Sequence, residues 1–537
     1  MPKAFEWRRA VRRLLLAAAL ALGFTVFGGG DAGPTAPAAS GTLRLAAHEP
    51  LTLDPVHVRD TNSAEYAKEI FAGLTRIAPD LSVEPDLASG WTVSSDGQTY
   101  IFTIRRDARF HDGTPLTATD VAWSWRRALD PGTGSLSGPV FLEDIQGAAA
   151  FAAGEADSVS GLRVRGMRML EVTLTAPLAF FPSKLSAGPT LVVDWRNVAA
   201  GAEWWRAPNG SGPYQLLDWR PESLITLGRA DTAPWLPGGP ATVEFQQLDV
   251  GEDLLLYEND ELDLISIGAA DLNRFRDPNE PRSSHLVSTP DLSFQYIGFN
   301  TTLAPLDDVH VRRALALATD RLFIADVVLA GAHREARGVI PPGLPGHRAD
   351  FEGLAFDLEA ARAELEKSRY GGADAVPPIT VVAPGDGLSG NPFVELIVDP
   401  WRTELGVDVL IEVRSFDDLL TALDEHDHDI PAFFLGWSAD FPDAFNFTDE
   451  LFGSDRPDNA WRFSDPVVDA LIQQARTADT DDERLAYYGE IEDRVIEQGV
   501  LIPLLFSVSH ELVQPWVEGY GGRPMTREWL TELTIAN

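Results

Sequence analysis

From Thr42 to the end of the chain, strand and helix signals alternate without any repeating period, and that alternation restricts the fold to mixed α/β. Leu43 and Leu45 alternate with polar neighbours, the period of a half-buried strand. Tyr100, Phe102 and Ile104 share one face of a second strand, which runs on toward the Asp112-Gly113 turn. Thr117 and Asp120 form a capping box ahead of Val121, Trp125, Ala128 and Leu129 at helical spacing. Asp308 is placed to cap a helix through Arg312, Leu315, Ala318 and Ile324 that stops near Gly331. Asp357 starts another that ends at Gly371, and 378–383 and 407–413 read as apolar strands. At 537 residues the chain is too long for one core, and length alone suggests about three or four domains.

The first 40 residues are of another kind. Lys3, Arg8, Arg9, Arg12 and Arg13 precede the 14-residue apolar run 14–27, which is short of the roughly 20 residues a membrane span takes. This is the pattern of an export signal, followed by a Gly/Pro/Ala tether to Ser40. Arg12-Arg13 also fits a twin-arginine route. Removing residues 1–30, with five basic side chains and one acidic, takes the chain's net −38 to −42. A polyanion of that size is repelled by nucleic acid, so none is expected as a partner. With no cysteine, disulfide frameworks, zinc–thiolate sites and thiol nucleophiles are excluded.

Catalytic signatures are absent. No G-x-S-x-G elbow occurs, His510-Glu511 lacks the second histidine of a zinc protease, and no phosphate loop joins a strand to a helix. Glu425-His426-Asp427-His428-Asp429 offers metal-ligand chemistry but reads as a solvated turn, because closed metal sites draw ligands from separated elements. More informative is 433–443, where an apolar strand runs into Trp437, Ser438, Ala439, Asp440 and a Pro-containing turn. Open α/β sheets place ligand groups at strand ends of this kind. Flanked by Trp437 and Phe441, Asp440 is partly desolvated and suited to hold a cation such as an α-ammonium. The alternative is that Trp437 is core and Asp440 only caps the next helix.

A set of motifs in order then identifies a family. These are Leu53-Asp54-Pro55, Glu84-Pro85-Asp86-Leu87-Ala88 with Trp91, the stretch from Phe110-His111-Asp112-Gly113 to Val121, and Gly212-Pro213-Tyr214. Glu261-Leu262-Asp263, Tyr296 to Asn300, Val311-Arg312-Arg313-Ala314-Leu315, Ile502-Pro503-Leu504 and Pro515-Trp516 follow. From about Gly41 onward the chain resembles the extracytoplasmic solute-binding proteins of ABC importers, in the class that binds peptides, dipeptides and nickel, with oligopeptide binders the nearest branch.

The resemblance implies a periplasmic-binding-protein-like, two-lobe (Venus flytrap) α/β fold with an inserted third subdomain. Lobe I would combine 41–60, 187–292 and 504–537, the insert would be 61–186, and lobe II 293–503, with crossovers near the ends of lobe II as the hinge. It implies a peptide or small solute as ligand, ABC importer permease subunits as partners, a periplasmic monomer, no cofactor and no metal, and no enzymatic activity. Tethering by an uncleaved signal stays open, since Gly29 stands where many members carry a lipid-modified cysteine. The family's Trp-x-x-Asp matches Trp437, Ser438 and Asp440, implying an aspartate on the ligand's α-ammonium. The resemblance adds Trp401, Asp60 and Tyr296 to the pocket. Phe434 stands where some oligopeptide binders have an arginine for the peptide carboxylate. A nickel chelate, an opine or an oligosaccharide is the alternative ligand within the same fold, and a secreted hydrolase is a distant one.

Overall fold

Two long strands, Leu286–Phe299 and Leu501–Val513, lie antiparallel in the middle of an 11-stranded sheet. The computed structural model describes residues 41–536 except 237, 249–250, 386–390, 425–429, 479 and 528. The export signal and the Glu425–Asp429 run lie outside the described residues.

Each long strand serves both halves of the sheet. Residues 294–298 of the first pair with 501–506 of the second, and the first also pairs with Ala432–Ser438, beyond which lie Ile379–Pro384 and Val409–Arg414. The far end of the second, from Glu511 to Val513, pairs with Leu264–Ser266, followed by Thr42–Ala47, Thr242–Gln247, Leu224–Arg229 and Tyr214–Arg220. The register shifts between Pro290 and Phe294 and again between Gln295 and Tyr296. Pro290 has no N–H to give the ladder, which accounts for part of this break. The crossovers expected near 293 and 503 fall beside it.

A separate four-stranded sheet of Ala88–Val93, Thr99–Ile104, Met169–Thr173 and Leu162–Val164 carries the Ala118–Leu129 helix. That helix opens with the expected capping box of Thr117 and Asp120 and buries Val121, Trp125, Ala128 and Leu129. Each large apolar side chain so buried contributes about 1.5–3 kcal/mol. The Thr61–Ile70 helix, at the start of the expected insert, packs Tyr66, Ala67 and Ile70 beside Leu43, Leu45 and Phe245 in the core of the other half.

One expected helix is shorter than its apolar spacing suggests. Asp308 caps Val309–Leu317 as anticipated, but the helix ends there. Thr319 Oγ1 donates to the Leu315 carbonyl, and Asp320 accepts from the Phe323 N–H to start a new turn, Arg321–Phe323, that runs into the π-turn Ile324–Val328. Side chains that bond nearby backbone have displaced the regular ladder. Among the described residues no helix is long and apolar enough to cross a membrane.

Candidate functional site

A cavity of about 340 Å³ opens where the end of the Ala432–Ser438 strand meets the start of the Thr61–Ile70 helix. Trp437, Ser438 and Asp440 line it from one side, Asp60 from the other, and Tyr296 from the adjoining long strand. Asp60 is also that helix's N-cap, its Oδ1 accepting from the Ser63 N–H at 2.8 Å. Tyr296 lies opposite Leu435 in the ladder and packs its ring against Trp461, with centroids 5.1 Å apart. Burial raises its hydroxyl above the usual phenol range, so it stays protonated.

Asp440 is held by its backbone and left open at its carboxylate. Its N–H donates to Asn446 Oδ1 at 2.6 Å, and the Phe441 N–H donates to the same oxygen at 3.3 Å, which fixes the turn beyond the strand. No protein hydrogen bond to the Asp440 carboxylate oxygens occurs among the described residues, although the residue is largely buried. Burial pushes this carboxyl up to about 6; Lys68 and Arg59 oppose the rise and Asp458 adds to it. The Lys68 ammonium donates to the carbonyls of Thr526 at 2.8 Å and of Asp440 at 3.4 Å. Arg59 pairs with Asp458 across the cavity. The Trp437 indole N–H is sealed from solvent without a partner.

Two residues expected in the site are elsewhere. Trp401 is fully buried on the opposite face of the sheet, its indole N–H donating to Thr319 Oγ1 at 3.0 Å. Phe434 points to that same face and meets Phe393, with centroids 5.6 Å apart. Strand period explains this: Phe433, Leu435 and Trp437 face the cavity side, and Phe434 falls between them. Neither Trp401 nor Phe434 lines the cavity.

Lys68, Asn446, Glu450 and Asp458 were not singled out from the sequence. They come to the site from separate loops and helices, and no local spacing marks them. Among the described residues no group of three or more His, Cys, Asp and Glu could hold a metal ion. A second, more open trough of about 480 Å³ is lined by Ser135, Leu136, Asp455 and Arg462. Arg456 there is consumed in ion pairs with Glu143 and Asp449.

A mixed α/β fold built on one continuous sheet, with a cavity at the end of one of its strands, is the architecture of a two-lobed solute-binding protein. The chain belongs to the bacterial extracellular solute-binding proteins, family 5: the family model for the middle region matches residues 82–459. It is 30% identical over 493 residues to the probable deoxycholate-binding periplasmic protein YgiS of Escherichia coli, covering 88% of this chain and 89% of that one. It is 27% identical to the oligopeptide-binding protein OppA of Bacillus subtilis, covering 85% and 86%. The solved structure of Burkholderia pseudomallei OppA superimposes with a TM-score of 0.84 at 26% identity, over 93% of this chain and all of that one.

Proposed function

We propose that this chain is the exported binding component of an ABC importer, that it takes a peptide between its lobes, and that Asp440 receives the peptide's α-ammonium. The observation that carries this reading is the Asp440 carboxylate, fixed through its backbone by Asn446 and lining a 340 Å³ cavity with no hydrogen-bond donor to it among the described residues. An ammonium there supplies hydrogen-bond donors to the carboxylate and adds to the positive field of Lys68 and Arg59. The lobes divide as the sequence implies, with the paired long strands as hinge, and ligand contacts to both lobes favour the closed form. The protein acts as a periplasmic monomer, without cofactor or catalysis, and hands its solute to the permease.

The test is calorimetry of Asp440→Asn with tripeptides. One charge-assisted hydrogen bond is worth about 1.5–3 kcal/mol, so affinity should fall about ten- to hundredfold. An unchanged affinity removes Asp440 from ligand contact. An amphipathic, non-peptide solute is the second reading, supported by the apolar wall of Phe416, Leu420 and Leu423. Mass spectrometry of the ligand that copurifies separates the two.

A further inference from the structure

The cavity contains an acid that an α-ammonium at Asp440 leaves unused. Glu450 sits on the one-turn helix Asp449–Phe452 and lines the cavity, yet is only 1% exposed. Its Oε2 is sealed from solvent with no hydrogen-bond partner. Its neighbour Asp449 turns the other way, into ion pairs with Arg456 and Arg476. Burial of a carboxylate without a partner is costly, and native structures rarely leave one so placed without a use.

No protein cation is assigned to it. Of the cations around it, Arg59 pairs with Asp458, Lys184 with Asp144, and Arg456 with Glu143 and Asp449. Lys68 donates to the two backbone carbonyls across the cavity. The charged groups that act on Glu450 are Asp440 and Asp458, which disfavour its ionisation, and Lys184 and Arg456, which favour it. Burial dominates and holds its carboxyl well above the usual range. Counting the lining, Asp60, Asp440, Glu450 and Asp458 stand against Arg59 and Lys68, an excess of two acids.

We propose that Glu450 receives a second cationic group of the ligand, so that the cavity selects solutes carrying two amino or guanidino groups close together, above all peptides with a lysine or arginine near the amino terminus. This inference rests on the ammonium-at-Asp440 reading and adds a selectivity that Asp440 alone does not give. A lysine or guanidino group would supply the N–H donors and the positive charge that Glu450 lacks.

The experiment compares trialanine with its three single-lysine variants, by calorimetry near pH 7.5, on the full chain, on Glu450→Gln and on Asp440→Asn. The substitution at 450 keeps the side chain's size, and a cooperative melting transition checks that each variant is folded. Expected for the native chain is a preference of about tenfold or more for one lysine peptide over trialanine, the size of a single charge-assisted hydrogen bond. Measured within Glu450→Gln, that ratio should shrink to about twofold or less. If the native chain shows no lysine preference, or Glu450→Gln retains it, while Asp440→Asn weakens every peptide, the Glu450 inference is overturned and the ammonium reading stands. If no peptide binds the native chain, or Asp440→Asn binds all four as tightly as the native chain does, both are overturned.

Discussion

Asp54 shows what a recognisable motif residue does physically. Its carboxylate accepts from Arg127 Nη1 at 2.8 Å and from the Trp204 indole at 3.2 Å, and it is 3% exposed. Asp263 likewise accepts from Arg44 and from the Trp516 indole, and Asp86 from the Trp235 indole. These acids announce the family in the sequence because they fasten distant segments together. The cavity-lining acids are less legible: Asp440 was marked by its Trp-x-x-Asp context, but Glu450 and Asp458 carry no local signal. Glu69 is a buried acid of a third kind. Its Oε1 accepts from the Trp529 and Leu530 N–H groups while Oε2 has no partner, and burial raises the carboxyl to about 7. An unfolded chain releases this proton near the ordinary value of about 4.3. Between there and about pH 7 the folded state therefore binds more protons than the unfolded one, and stability falls as pH rises through that window. Glu69→Gln, which cannot ionise, should be more stable than the native chain by up to about 3 kcal/mol at pH 8 and lose that advantage at pH 4. Denaturant unfolding across pH checks this; a pH-independent difference defeats it.

Among elements, local rules succeeded where one signal acted alone. The strand at Thr42–Ala47 and the capping box before Ala118 formed as their patterns indicate, and Asp357 caps its helix as expected, although that helix ends at Lys367, short of Gly371. They failed where two signals competed. Apolar spacing carries the Asp308 helix on to Ile324, yet the Thr319 and Asp320 side chains capture backbone and end it at Leu317. Pro503 should demote its segment to an edge, yet it sits opposite Tyr296 at the centre of the sheet, inside one of the two long strands. Thr319 also explains why Trp401 is structural. Its Oγ1 accepts the Trp401 indole N–H, so the Pro392–Thr403 helix is pinned to the far face of the sheet. Thr319→Val removes that acceptor and strands a fully buried donor, at a cost of about 1–3 kcal/mol. Chemical denaturation should record the loss while calorimetry records an unchanged ligand affinity. A weakened affinity would return Trp401 to the site.

For the whole molecule, the decisive contacts join segments that sequence separates widely. Arg456 and Glu143, 313 residues apart, form two hydrogen bonds of 2.8 and 2.9 Å. Arg476 bonds the same Glu143 at 2.6 Å, and both arginines also hold Asp449. Beside them Phe441 stacks on Phe180 at 6.2 Å and meets Phe141 edge-on. Under the proposed lobe division this seam joins the insert to lobe II beside the cavity, which Phe141 also lines, and we propose that it forms on closure. Burial raises Glu143 to about 7 and Asp449 to about 6, outweighing the pull of the arginines that hold them. Removing Arg456 leaves two buried acids on one remaining arginine, a cost that falls on the closed form because the open form hydrates them. Arg456 does not line the cavity, so its loss should act through closure alone. Arg456→Met should weaken peptide affinity by about tenfold or more and speed ligand release, as expected when the binding-competent form becomes rarer. Small-angle scattering at subsaturating peptide should show a larger mean radius of gyration than for the native chain. Equal affinity together with equal scattering would mean that the seam is packing and has no part in closure.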